Sequence, residues 1–179
     1  MNFIKNLAFA SVLFLLINNS FAQRSGVEIS GDIIQVSLPV LALGSTYFYP
    51  ANDKPHWQFL KTYALATIIT RGLKPLVNET RPNGGKHSFP SGHSTSAFAG
   101  ATFLQIRYGW KIGIPAYLLA SYVAYTRIYA HKHYIWDVTA GAFIGIGSAL
   151  IFTKKFPKKF QTTLNYTQGY YLVGLDYRF

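Results

Sequence analysis

Three short stretches carry the residues whose types and spacing could do chemistry: Lys74–Pro82 (KPLVNETRP), Pro90–His93 (PSGH) and Thr126–Asp137 (TRIYAHKHYIWD). Attack on a phosphate ester requires a nucleophile, an acid for the leaving group and cations for the equatorial oxygens. The set supplies each type, so it reads as a metal-independent phosphate-transfer site. His133 is the expected nucleophile because Asp137 follows it by four residues. A helix starting near His133 would put both side chains on one face. The carboxylate would then accept the proton of one ring nitrogen and leave the other free to attack. Lys74, Arg81 and Arg127 would clamp the phosphoryl oxygens, Arg by paired hydrogen bonds and Lys as a point charge. Ser91 and Gly92 would open a helix whose free N–H groups form an anion site. Ser91 can cap that helix and turn its hydroxyl to phosphate, and Gly92 lets the backbone come close. Pro82 and Pro90 would stiffen the loop between them.

The order and internal spacing of these stretches resemble the signature of the type 2 phosphatidic acid phosphatase superfamily. Its pattern runs Lys, six residues, Arg-Pro; then Pro-Ser-Gly-His; then Ser-Arg, five residues, His, three residues, Asp. The chain departs from it at Thr126, which stands in place of Ser and keeps the hydroxyl. The resemblance extends from about Ile33 to about Thr153. It implies a phosphohistidine on His133 that water resolves, with His93 as the acid that protonates the leaving oxygen and later activates that water. It also implies inhibition by vanadate, which can take the phosphoryl position in a five-coordinate form.

The remaining polar residues have plainer readings. His56, His87 and His131 read as capping or packing histidines. Arg71, one turn before Lys74, reads as a snorkelling or helix-pairing charge, and Lys86 and Lys132 as solvated. Glu79 lies between two cations and is expected to pair with one of them. No metal or other cofactor is expected: cysteine and a His-Glu-x-x-His motif are absent from the sequence, and one acid stands near the paired histidines.

These residues need an apolar helical frame to position them. Ile33 to Ala51, Trp57 to Val77, Ser91 to Tyr108, Ile112 to Thr126 and Val138 to Thr153 read as helices that are apolar all round, which suits burial or lipid. Gly and Ala density at Ala97–Ala101 and Ala140–Gly147 would let helices approach closely. The expected fold is all-α, a compact bundle of about five core helices following a signal peptide and embedded in a membrane. Alternating spans bring all three motifs to the outer face, while Lys54, Lys61, Arg107, Lys111 and the cluster Lys154, Lys155, Lys158, Lys159 collect inside. Lys86 and Lys132 run against that bias. Tyr47, Tyr49, Trp57, Tyr108, Trp110 and Trp136 mark the interfaces. In the tail, Val173, Leu175, Tyr177 and Phe179 alternate with Gly174, Asp176 and Arg178, a strand period. It reads as a short amphipathic strand lying on the body, with an outer-membrane address as the alternative, although one strand makes no barrel.

Composition bounds the rest. The 179 residues give room for one domain; 50% are apolar and 13% charged, with a net charge of +11. No basic stripe interleaved with aromatics appears, so nucleic acid is not the expected partner; a phosphorylated lipid or other phosphate ester and a membrane are. Lys5, the apolar run Leu7 to Ile17 and Ser20-Phe21-Ala22 read as a secretory signal over residues 1–22. The domains are then a signal peptide at 1–22, a helical phosphatase domain at 23–159 and a strand-like tail at 160–179. The expected site faces the periplasm from a bacterial inner membrane. A soluble periplasmic acid phosphatase, a lipid phosphotransferase, a haloperoxidase and a non-enzymatic anionic-lipid binder are the competing readings.

Overall fold

The computed structural model describes residues 25–48, 52–156, 160–167 and 170–177. The expected signal peptide, Tyr49, Lys158, Lys159, Arg178 and Phe179 lie outside the described residues. Five helices follow one another: α1 Gly26–Phe48, α2 Pro55–Val77, α3 Gly92–Tyr108, α4 Trp110–Tyr129 and α5 Ile135–Phe152. Each corresponds to an expected helix; α4 runs on to Tyr129, past the expected end at Thr126, and the other main differences are at the starts. α1 begins seven residues before Ile33 and takes in Glu28 and Asp32, carboxylates that a helix N-terminus favours. α5 begins three residues before Val138, because the Asp137 carboxylate accepts the Tyr134 N–H at 2.9 Å and satisfies an orphan donor of the first turn.

The body is all-α with α3 at its centre, packed on the other four helices. Its residues are small and buried on all sides: Ser94, Ala97, Ala99, Ala101 and Thr102. The α3–α5 contact depends on missing side chains. A Cβ on Gly141 would lie 2.5 Å from the Ser91 carbonyl, and one on Gly145 2.5 Å from the Thr95 carbonyl. Large apolar side chains point the other way: Leu118 is 67% exposed and Phe143 71%, with Ile33, Val40, Ile68 and Ile151 also outward. A small, partly polar interior under an apolar exterior reverses the usual soluble arrangement. α1 and α5 are long and apolar enough to cross a membrane, with mean hydropathies of 1.4 and 1.7. Tyr47, Trp57, Trp110 and Trp136 are exposed, as interface anchors would be.

At the end of the bundle away from the motifs, Arg107 is buried. It makes two bonds to Asp53 (2.8 and 2.9 Å) and one to the Lys154 carbonyl (3.4 Å), and lies 5.4 Å from the Phe156 ring centre. The bond from Arg107 holds the Asp53 carboxyl below its ordinary range, against the effect of burial. Arg107 is therefore a neutralised structural charge, not the free positive charge expected of a cytoplasmic turn. The tail also differs from expectation. Two strands form it, β1 Phe160–Thr167 and β2 Tyr170–Tyr177, antiparallel with Phe160 opposite Tyr177 and Thr167 opposite Tyr170. β1 (FQTTLNYT) lacks clean alternation, and its Thr and Tyr content was its one strand signal.

Candidate active site

The three motif stretches meet at one end of the bundle, as alternation of the helices requires. His133 sits in the connection between α4 and α5 and is 4% exposed. Its Nδ1 lies 3.2 Å from Asp137 Oδ2 and 3.4 Å from Ser88 Oγ. With Nδ1 engaged, Nε2 carries the free lone pair. Burial first, and then the Arg81 charge, push the His133 pKa down to about 4, with Asp137 opposing both. The ring is accordingly neutral at neutral pH and can act as a nucleophile.

Asp137 is the hub of this half. Besides His133, its Oδ2 accepts from Tyr134 N–H and from the Ser88 hydroxyl, and its backbone carbonyl accepts from Ser91 N–H at 2.9 Å. That last bond ties the start of α3 to the start of α5. Burial, followed by the neighbouring Asp137, raises the Glu79 carboxyl above its ordinary range. Glu79 is thus set against Asp137, and among the described residues it makes no ion pair with a cation.

The loop between α2 and α3 is held by its own backbone. Arg81 N–H donates to the Gly85 carbonyl (2.7 Å), Gly84 N–H to the Arg81 carbonyl (2.9 Å) and Ser88 N–H to the Glu79 carbonyl (2.8 Å). Gly84, at φ +83°, supplies the left-handed position. Arg81 Nε is buried and has no partner among the described residues. Lys74 donates to the His87 carbonyl at 2.9 Å, and His87 Nδ1 meets the Lys74 carbonyl at 3.1 Å. His87 is exposed and fills the capping form of its expected role, on the last turn of α2. His56, stacked on Tyr47 at 6.2 Å, fills the packing form.

Ser91 caps α3, accepting from Ser94 N–H at 3.4 Å and from the Ser94 hydroxyl at 3.2 Å. Gly92 lines a cavity of ≈ 230 Å³ together with Arg71, Lys74 and His93. A Cβ at Gly92 would meet only Thr70 Cγ2, at 3.9 Å, so protein packing does not demand glycine there. Arg71 belongs to this cavity rather than to the interface its snorkelling reading assigned it. Gln35, Tyr63 and Thr67 line both this cavity and an apolar groove of ≈ 580 Å³ between α1 and α2.

The other half contains residues that the motifs do not name. His93 Nε2 lies 3.0 Å from Asp32 Oδ1, and the same oxygen accepts from Arg127 Nη1 at 2.6 Å. Arg127 is 0% exposed and also donates to the Glu28 carbonyl (2.9 Å) and to Thr126 Oγ1 (3.1 Å). Three of its five N–H donors are engaged within the protein, which leaves two. Thr126 explains the tolerated Ser-to-Thr departure, since its hydroxyl does the local work by bonding Val123 (2.7 Å) and Arg127. Lys132 pairs with Glu28 and is not solvated as expected. The sequence reading missed Ser88, Glu28 and Asp32. The usable signal for Asp32 was a rare acid standing next to a charge-free run.

Two histidines each held by a carboxylate, three cations and a helix N-terminus at one end of a helical bundle define a phosphoryl-transfer class. Comparison with known proteins agrees. The sequence profile of the PAP2 superfamily matches residues 83–161. A lipid A 4'-phosphatase of Helicobacter pylori is 30% identical over 149 residues, spanning 74% of this chain and 72% of that protein. A lipid A 1-phosphatase of Porphyromonas gingivalis is 30% identical over 125 residues, but these are 28% of its length. LpxE of Aquifex aeolicus superposes with a TM-score of 0.58 at 28% identity, covering 78% of this chain and 91% of that one. A transmembrane PAP2-type phosphatidylglycerolphosphate phosphatase of Bacillus subtilis shares the fold, with a TM-score of 0.56 at 20% identity over 81% of this chain and 84% of that one. The chain belongs to the PAP2 superfamily and is a phosphate monoester hydrolase.

Proposed function

We propose that this PAP2-type membrane phosphatase hydrolyses a phosphate group of a membrane lipid through a phosphohistidine on His133. The observation that carries the mechanism is the buried, neutral His133 with Nδ1 committed to Asp137 and Nε2 free. Nε2 attacks phosphorus as the P–O ester bond breaks, and protonated His93 gives its proton to the departing oxygen. Neutral His93 then takes a proton from water, whose oxygen attacks phosphorus as the N–P bond breaks. Inorganic phosphate leaves and both histidines return to their starting states. Lys74, Arg81, the two spare donors of Arg127 and the α3 N-terminus at Ser91 and Gly92 neutralise the equatorial oxygens.

A lipid substrate is supported by the route into the site. The cationic cavity runs into the apolar groove between α1 and α2, which would receive an acyl chain while the phosphate reaches Lys74. Lipid A phosphates lead the substrate class because several relatives bear that name; phosphatidic acid, phosphatidylglycerophosphate and polyprenyl diphosphate share the same chemistry. The bias of Lys54, Lys61 and Lys111 to the far end, behind a secretory N-terminus, supports a periplasm-facing site.

The test is phosphate release by detergent-purified protein from a panel of lipid phosphates, wild type beside His133→Ala. We expect release that ignores chelator, is blocked by vanadate and falls by at least about 10³-fold in the variant. Release by His133→Ala at the wild-type rate would overturn the phosphohistidine.

A further inference from the structure

We infer that Asp32 is a positioning residue for acid catalysis, holding His93 from α1 as Asp137 holds His133. The inference rests on the proposed histidine mechanism and adds a residue that neither the motifs nor the superfamily profile, which begins at residue 83, contains. Two observations carry it. The first is the bridge itself: one carboxylate oxygen of Asp32 meets His93 Nε2 at 3.0 Å and Arg127 Nη1 at 2.6 Å. The second is that α1 is shaped to deliver that carboxylate. A Cβ on the preceding residue, Gly31, would collide with Thr126 Oγ1 and Cβ and lie 2.7 Å from Arg127 Nη2. Glycine therefore lets the first turns of α1 press against the end of α4. Contacts on either side keep them there: Glu28 with Lys132, the Glu28 carbonyl with Arg127, and Ser30 with Tyr122 at 2.9 Å.

A carboxylate beside a phosphate site opposes substrate binding through like charge, so its presence needs a compensating duty. Arg127 screens it, and the remaining duty is to the imidazole. With Nε2–H donated to Asp32, the ring orientation is set and the proton for the leaving oxygen resides on Nδ1. The charged groups around His93 are Asp32 from α1, Arg127 from α4, Lys132 from the connection after it, and Arg71 and Lys74 from α2 in the same cavity. Asp32 is the acid in direct contact with the ring, and it opposes the effect of these cations on it.

Leaving-group dependence separates this role from a structural one. The wild type, Asp32→Asn, Asp32→Glu, His93→Ala and the Asp32→Asn/His93→Ala pair are compared on two soluble esters. Dihexanoyl phosphatidic acid releases an alkoxide that needs a proton; p-nitrophenyl phosphate releases a stable phenolate that does not. Asp32→Asn should lose about 10- to 100-fold on the alkyl ester and less than about threefold on the aryl ester. Asp32→Glu, which keeps the carboxylate, should show the same split in weaker form. Adding Asp32→Asn to His93→Ala should cost nothing further, because the two act as a unit. Equal losses on both esters, or an added loss in the His93→Ala background, would overturn the inference and leave Asp32 as an anchor for Arg127 or the fold. His133→Ala is the control for the underlying mechanism: if it still cleaves either ester, that mechanism fails first and the role of Asp32 fails with it.

Discussion

At the scale of single residues, the proposed role of His133 as nucleophile predicts the pH range of the enzyme. Burial and Arg81 bring its pKa from the ordinary 6.5 down to about 4. A nucleophile is lost on protonation, so kcat/KM should rise through about pH 4 and then be independent of His133. The measurement is a pH profile on an aryl phosphate, corrected for the ester's own second ionisation near ~6. An enzyme-derived acid limb centred at 6.5 would contradict it. The same depressed pKa acts on stability with the same sign. The unfolded chain binds the His133 proton more tightly, so this contribution is complete above 6.5 and is lost as pH falls through about 4. Motif spacing and its resemblance to the superfamily signature singled out Lys74, Arg81, Ser91, Gly92, His93, Arg127, His133 and Asp137, because each motif packs its residues within a turn or two of one another. Asp32 and Ser88 were not legible, since their partners lie 61, 95, 45 and 49 residues away. Pairings over such separations are made by tertiary packing, and local spacing holds no record of them. A pointer did exist: with 6 acids against 17 cations, an acid at the edge of an apolar helix is expected to be paired.

At the scale of elements, the site depends on how closely α3 and α5 approach. Gly141 and Gly145 set that distance, the first directly against the Ser91 carbonyl at the start of α3. The two glycines Gly145 and Gly147 make a controlled comparison on one helix. A Cβ at 145 would lie 2.5 Å from the Thr95 carbonyl and 2.8 Å from Ala99 N; at 147 it would meet nothing within 4 Å. Gly145→Ala should destabilise the bundle by about 1–3 kcal/mol, as overpacking against rigid backbone does. Gly147→Ala should stabilise it by up to about 1 kcal/mol through helix propensity. Thermal melting of both in the same detergent checks this, and equal shifts would show that the α3–α5 contact is not the tight one. The five helices themselves were legible as apolar runs, three of them charge-free and two interrupted by Lys61, Arg71 and Lys74 or by Arg107. Their starts were not, because Glu28, Asp32 and Asp137 extend or cap helices where the sequence reading took charge as a boundary.

At the scale of the whole molecule, the distribution of side-chain size separates the membrane reading from the soluble one. The interior of the helical body is filled by Ala, Gly, Ser and Thr around Phe59 and Phe103, while Ile33, Ile68, Leu118, Phe143 and Leu150 face outward. In water that exterior would be an aggregation surface; in a bilayer it is the solvent contact. The polar interior also limits how the protein can be extracted. Buried Arg107 is matched by Asp53, and Arg127 by Asp32, so both ends of the bundle are closed by ion pairs that tolerate lipid around them. The expected outcome is that the protein stays with membranes through high-salt and alkaline washes and is released by detergent as a folded, active species. Breaking one end gives a graded version of the test. Arg107→Ala leaves the partly exposed Asp53 carboxylate with its Gln58 bond and should lower detergent-state stability by about 1–3 kcal/mol. It should nonetheless preserve the vanadate-sensitive rate of the protein that remains folded, because the site is assembled at the opposite end. Release by salt alone would show that the apolar exterior meets protein or water instead of lipid, and with it the groove between α1 and α2 would lose its place as the route for an acyl chain.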